Sequence, residues 1–190
     1  LARLRTHIAV RARRHPLLLV LILGAGGMLA LTGFHSGMQA TNKLEFCISC
    51  HEMADNNFEE YKKTVHYQNR TGVRATCPDC HVPKEEGPLL LRKVQAVSDI
   101  WHTLAGTIDT REKFEAHRLE MAQREWARMK ASDSRECRNC HSFEGMSAED
   151  QRPKTYARHM KAKDDGKTCI DCHKGIAHHL PKGYVEEDDS

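Results

Sequence analysis

The apolar positions of this chain are gathered into one long run and become sparse afterwards. Pro16 to Phe34 (PLLLVLILGAGGMLALTGF) is a 19-residue stretch without a charge. At ~1.5 Å of rise per residue it reaches roughly across a hydrocarbon core of ~30 Å, so it predicts a transmembrane helix. Beyond it, two segments carry a helical pattern. From Arg111 to about Ala131 there is no Gly or Pro, and Phe114, Leu119, Ala122, Trp126 and Met129 recur near helical spacing. Asp109, with Glu112 three positions on, fits the N-cap of that helix. A second helix is expected over Leu89 to about Leu104, after Pro88. Strand alternation is weak everywhere, so the expected fold is mostly α with irregular loops, behind a single N-terminal transmembrane helix.

A cleaved export signal is the competing reading of the apolar run, but its apolar region usually spans only about 7–15 residues before a small-x-small site. Here the run is longer, and the best cleavage candidate, after Ala40, has the large Met38 at its −3 position. An uncleaved anchor over residues 16–36 is therefore expected. Residues 1–40 hold five arginines (Arg3, Arg5, Arg11, Arg13, Arg14) and no acid. The positive-inside rule then keeps residues 1–15 as a basic cytoplasmic arm and exports residues 37–190. The expected location is the bacterial inner membrane, single-pass, with the domain after the anchor in the periplasm. Gly24, Gly26, Gly27 and Ala30 leave one side of the anchor small, which admits a helix–helix contact and a homo-oligomer.

Charge changes the picture once the arm is set aside. The formal net charge is +3, but outside the arm 24 basic side chains face 26 acidic ones. A nucleic-acid partner calls for a basic domain, so none is expected. The acidic tail Glu186-Glu187-Asp188-Asp189 reads as a solvated end. Aromatics make up only 6% of the chain and charged residues 29%, so a conventional apolar core would be thin.

The cysteines explain how such a chain can fold. All eight fall in four copies of Cys-x-x-Cys-His: Cys47-Cys50-His51, Cys77-Cys80-His81, Cys137-Cys140-His141 and Cys169-Cys172-His173. This pattern reads as covalent c-type haem attachment, with two thioethers and an adjacent histidine under the iron. Four haem c groups are therefore expected, and helices can pack around these large apolar objects. Pairs of Cys-x-x-Cys forming four-cysteine zinc sites are the structural alternative, which a c-type absorption spectrum would exclude. The first cysteines stand 30, 60 and 32 residues apart. That rhythm suggests two di-haem modules, about 44–84 and 134–180, joined by a helical connector over 85–133. Thr76-Cys77-Pro78-Asp79-Cys80-His81 also matches Thr168-Cys169-Ile170-Asp171-Cys172-His173, as a duplicated unit would.

Low-spin electron-transfer haems need a second axial ligand, usually histidine or methionine. His7 and His15 are excluded by topology. His66 and His159 stand 11 and 10 residues before the second motif of their modules and are the favoured opposing ligands. One of His178 and His179, with His178 preferred, is placed to serve a haem other than that of the neighbouring last motif. His117 reads as a surface or hydrogen-bonding histidine, and His35 and His102 as structural. The first motif differs, because it continues as His51-Glu52-Met53. Either Met53 or His51 binds its iron, and nothing in the pattern supplies the other side. An open face near the anchor in sequence suits a membrane-borne reductant.

The segment Phe46–Met53, the run Gly72–Pro83 and the stretch Thr168–His178 resemble the NapC/NirT family. Arg135–His141 and Phe114–Leu119 fit the same resemblance, which covers about Gly33 to Lys182. The resemblance implies a quinol dehydrogenase: oxidation of menaquinol or ubiquinol from the membrane pool at the haem nearest the lipid bilayer. Electrons would then pass along four haems to a periplasmic reductase or cytochrome, nitrate reductase first and a nitrite reductase or other acceptor next. It also implies Met53 as ligand of the first iron, and Lys93 and Asp99 at the quinol pocket, with Asp99 as general base for a quinol hydroxyl. Many relatives carry a histidine three residues after the second motif, where this chain has Lys84. Either Lys84 ligates as an amine or the opposing ligand lies elsewhere. A terminal reductase acting on a small oxyanion is the reading of a different class, and a chain this short leaves little protein for its pocket.

Overall fold

The computed structural model describes residues 15–185. The basic arm up to Arg14, with His7, and the acidic tail fall outside the described residues. The chain divides into two compact units, Leu1–Asn42 and Lys43–Ser190. No strand occurs among the described residues, and the secondary structure is helical throughout.

The first unit is helix α1, Pro16–Ala40, with mean hydropathy 2.3 over its most apolar window and none of its residues buried. Pro16 opens it, where a missing N–H costs nothing. Its 25 residues make it long and apolar enough to cross a membrane. The apolar run covers only its first 19, and the helix continues for more than a turn beyond Phe34.

The second unit strings short helices on two long ones. Helix α2 (Leu44–Cys47) is followed by a π-helical stretch, Met53–Phe58, that runs into α3 (Glu59–Tyr61). Helix α4 (Cys77–His81) precedes the long α5 (Glu86–Leu104) and α6 (Arg111–Ala131). Helices α7 (Arg135–Arg138), α8 (Pro153–Asp164) and α9 (Cys169–Cys172) complete the order. Two helix starts differ from the sequence expectation. The N-cap of α6 is Thr110, whose hydroxyl accepts from the Lys113 N–H at 3.3 Å, while the Asp109 carboxylate turns to Lys113 Nζ at 2.8 Å. Helix α5 begins at Glu86 rather than after Pro88, because a proline in the first turn removes no helical hydrogen bond.

The protein core is small and mixed. Its buried apolar residues are Tyr61, Ile108, Phe114, Met129 and Ile170, outnumbered by the buried polar set of Glu52, Asn56, Glu60, Arg118, Ser134 and Glu136. A polypeptide interior of this kind cannot supply the hydrophobic burial that usually holds a domain of this length together. Helices bearing the cysteine motifs pack in sequence, α2 on α4 and α4 on α7, while α9 packs on the long α6.

Candidate haem-binding and electron-transfer site

The second and fourth motifs are shaped by the same local device. The N–H and hydroxyl of Thr76 both donate to the Asp79 carboxylate, at 2.7 and 2.6 Å. Thr168 does the same to Asp171, at 2.9 Å for each bond. These capping boxes start a helical turn at the first cysteine, so the two cysteines and the histidine of each motif share one face. The third motif starts differently. Asp133 and Ser134 take left-handed φ values of 53° and 49°, and Ser134 is fully buried. Its hydroxyl accepts from the Ile170 N–H at 3.1 Å, tying the start of α7 to α9. None of the eight cysteines is joined in a disulfide. The Cys47 and Cys77 side chains lie beside each other, as do those of Cys137 and Cys169, so the motifs meet as first with second and third with fourth.

Each of the last three motif histidines faces a second histidine. The ring centres of His81 and His178 are 6.2 Å apart, those of His66 and His141 are 6.2 Å apart, and those of His159 and His173 are 5.9 Å apart. Two imidazoles clasping one metal ion through bonds of about 2 Å put their ring centres roughly 6 Å apart. Imidazoles in direct edge or offset contact reach the same spacing, and it leaves room for an iron between each pair. Burial depresses the pKa of His66 and His173, and brings that of His178 down to about 4. These rings are therefore held neutral near pH 7, the form that can bind iron. The Nδ1 atoms of His66 and His178 are buried without a hydrogen-bond partner. Beside His141 lies a cleft of about 430 Å³ lined by Arg138, Phe143, Lys163 and Lys167 together with Asp133 and Glu144, which pair with Arg138 and Lys163. The residues present thus fit haem c.

The pairing crosses between the two halves of the sequence. His159 faces the second motif of its own half. His66 reaches from the first half to His141, and His178 reaches back to His81. The matching sequence positions of His66 and His159 are therefore not matched in space. Lys84 is exposed, and the residue opposite His81 is His178.

Several of these histidines are held by groups that sequence reasoning did not single out. Arg118 donates to Glu60 Oε1 (2.7 Å), to Glu60 Oε2 and to the His179 carbonyl (2.7 Å), while the His179 N–H donates to Glu60 Oε2 at 2.8 Å. Burial opposes ionisation of Glu60, but the bonds from Arg118 and the His179 N–H outweigh it and hold its pKa low. The Tyr61 hydroxyl donates to the carbonyls of His66 and Ala75, fixing the loop that carries His66. Nδ1 of His81 is 2.8 Å from Glu125 Oε1, and Nδ1 of His159 is 2.8 Å from Gln151 Oε1. Glu125 is itself forked by Arg128, at 2.6 and 3.0 Å. Burial opposes its charge, yet the bonds from His81 and Arg128 hold its pKa at about 2. One signal was available: Arg118 and Glu125 follow Phe114 at helical spacing and precede Met129 on the same stripe of α6, where charges are out of place.

The first motif stands apart. Among the described residues no histidine ring faces His51, which is exposed, its Nε2 3.5 Å from Oε1 of the buried Glu52. Met53 opens the π-helical stretch, and its sulfur accepts from Asn57 Nδ2 at 3.3 Å. π-Turns of this kind are rare and concentrate at functional sites. Lys93 is within electrostatic reach of Cys47, and burial lowers its pKa. Asp99 lies on another side of α5, 3.5 Å from Arg92 and 3.8 Å from Arg124. Helix α5 also carries an exposed apolar stripe of Leu90, Val94, Val97, Trp101 and Leu104.

Comparison with known proteins agrees with this constellation. The family model of the NapC/NirT cytochrome c family, N-terminal region, matches residues 10–183. The chain belongs to the NapC/NirT cytochrome c family. It is 58% identical over 171 residues to the denitrification system component NirT of Stutzerimonas stutzeri, covering 90% of this chain and 85% of that one. It is 55% identical over 163 residues to the cytochrome c-type protein NapC of Escherichia coli K12, covering 86% and 82%. A tetraheme cytochrome-c type protein of Allochromatium vinosum is 50% identical over 184 residues, covering 97% and 98%. No solved structure matches. Membership of this family makes the chain an electron-transfer cytochrome of the c type.

Proposed function

We propose that this protein is a membrane-anchored tetrahaem cytochrome c that oxidises membrane quinol and delivers the electrons to a periplasmic reductase. The observation that carries this reading is the inequality of the four motifs. Among the described residues three motif histidines face a second histidine and the first does not, which reads as three closed relay irons and one open to a donor. In this reading His81 pairs with His178, His141 with His66 and His173 with His159, while Met53 or His51 serves the first. Haem c supplies one-electron transfer at each site.

A quinol releases two protons along with its electrons, so the site needs groups that hold its oxygens and accept protons. Lys93, partly desolvated and close to Cys47, is suited to hold a quinol oxygen beside the first motif. Asp99, within 3.5 Å of Arg92 and 3.8 Å of Arg124, is the proposed base. The exposed stripe of α5 is the kind of face that a lipid surface covers, which would bring this helix to the quinol pool. The arginines before α1 keep the N-terminus cytoplasmic and the cytochrome domain periplasmic. On the opposite side of function, α8 brings His159 to His173 and exposes Arg152, Lys154, Arg158, Lys161 and Lys163. An acceptor with an acidic surface suits this face. The relatives named NapC and NirT leave nitrate and nitrite reduction as the two leading destinations.

Optical and paramagnetic resonance spectra of the purified protein test the reading. Four covalent haems are expected, three with bis-histidine low-spin signals and one distinct. A quinol analogue such as heptyl-hydroxyquinoline N-oxide should perturb only the distinct one, and Asp99→Asn should slow quinol oxidation with all four haems retained. Four equivalent haems, or an analogue that leaves the distinct one unchanged, would sink the proposal.

A further inference from the structure

The three histidine pairs are alike in spacing but not in what stands behind them. Behind His81 is a carboxylate, Glu125 Oε1, at 2.8 Å from Nδ1. Behind His159 is the neutral amide oxygen of Gln151 at the same distance, and His66 Nδ1 has no partner. Among the described residues no carboxylate pairs with His66, His141, His159 or His173. Glu125 cannot swing away, because Arg128 holds both its oxygens. Arg128 in turn reaches the buried Glu136 at 3.4 Å and the Cys80 carbonyl at 3.5 Å. Arg135 also reaches Glu136, at 3.3 Å, so Glu136 is balanced from two sides and the carboxylate nearest the ring is that of Glu125.

We propose that Glu125 sets the potential of the haem attached at Cys77 and Cys80, making it the hardest of the three bis-histidine haems to reduce. A carboxylate that accepts the Nδ1 proton gives the imidazole anionic character. The better donor ring favours the ferric over the ferrous iron. A neutral amide at the same distance does this less, and an unpartnered ring less again. The place of the network gives the difference a use. Helices α4 and α7 meet here, so Arg128 and Glu136 lie where the second motif abuts the third. Electrons crossing between the halves of the protein would pass this low-potential site, which resists filling and so controls the crossing rate in both directions. The proposal rests on the ligand reading above.

Glu125→Gln in the full-length holoprotein, titrated electrochemically and followed by paramagnetic resonance, tests it. At a fixed applied potential, one haem should show a rise of about tenfold in its reduced-to-oxidised ratio, equivalent to about 59 mV. The other three should hold, and every low-spin signal should remain. Arg128→Gln should move the same haem the opposite way, because it unshields the carboxylate; a merely structural role would not give opposite signs. Retained low-spin signals with no shift, shifts of the same sign, or loss of that low-spin signal in both variants would each overturn the assignment. Fewer than three bis-histidine haems in the unsubstituted protein would instead overturn the ligand reading beneath it.

Discussion

Replacing Glu60 by alanine should release His178 from its place opposite His81. His178 sits in a loop after α9, and α9 itself does not hold it. The backbone on the C-terminal side of His178 is held by the ring of bonds that Arg118 and Glu60 make with His179, and the His178 ring also lies beside the Asn57 backbone. Both side chains of the pair are almost inaccessible, at 9% and 6%. Removing Glu60 leaves the buried Arg118 with Glu115, 3.1 Å away and partly exposed, so the cost falls at the low end for breaking a buried pair, about 3 kcal/mol. At roughly 1.4 kcal/mol per tenfold, that raises the population with the loop detached by about two orders of magnitude. Melting of the holoprotein followed by circular dichroism should therefore start earlier, and the low-spin signal of one haem should weaken. The double variant Glu60→Leu with Arg118→Met separates the two effects. It buries no charge, so much of the thermal stability should return, yet the His179 backbone has lost its clasp and the low-spin signal should stay weak. An unchanged melting point and spectrum in Glu60→Ala would refute the reasoning.

Three further outcomes are expected. Thr76→Ala and Thr168→Ala each remove a capping hydroxyl from a cysteine turn, and each should lower the denaturation midpoint by the equivalent of about 0.5–2 kcal/mol; no change in either would deny the capping boxes a role. Acid should detach His178 through Glu60. A carboxyl whose folded pKa is depressed stabilises the fold above its unfolded value of about 4.3, and that stability is lost as pH falls through the folded pKa. The low-spin signal should thus hold at pH 5 and fade at lower pH. Glu60→Gln should lack this acid step, and identical titrations of the two proteins would contradict it. Reversing charge with Lys154→Glu and Arg158→Glu should slow electron delivery to an acidic acceptor at low ionic strength. The deficit should shrink as salt screens the face, and a deficit independent of salt would point away from charge steering.

The motifs and the long helices were legible in the sequence because they rest on local rules. A charge-free run of 19 residues, a Gly- and Pro-free helical period and four identical cysteine patterns each declare themselves within a short window. The capping boxes were visible too, as the shared Thr-Cys-x-Asp-Cys-His, although their similarity read first as a mark of duplication. The N-cap of α6 was misplaced by one residue, since Asp109 and Thr110 are both good caps and only the turn of the backbone chooses between them. The deeper miss concerns what the repeat means in space. Matching positions made His66 and His159 look equivalent, but which histidines face each other is set by which helices pack together. The contact of α4 with α7 interlocks the halves, so His66 and His178 each cross over. Nothing periodic in the chain records such a crossing. The residues that secure it leave only an indirect trace, as Arg118 and Glu125 on the buried stripe of α6. Charges placed where an apolar side chain is expected were the most informative positions in that helix. They mark where the protein interior gives up hydrophobic burial to hold a ring of histidines in register.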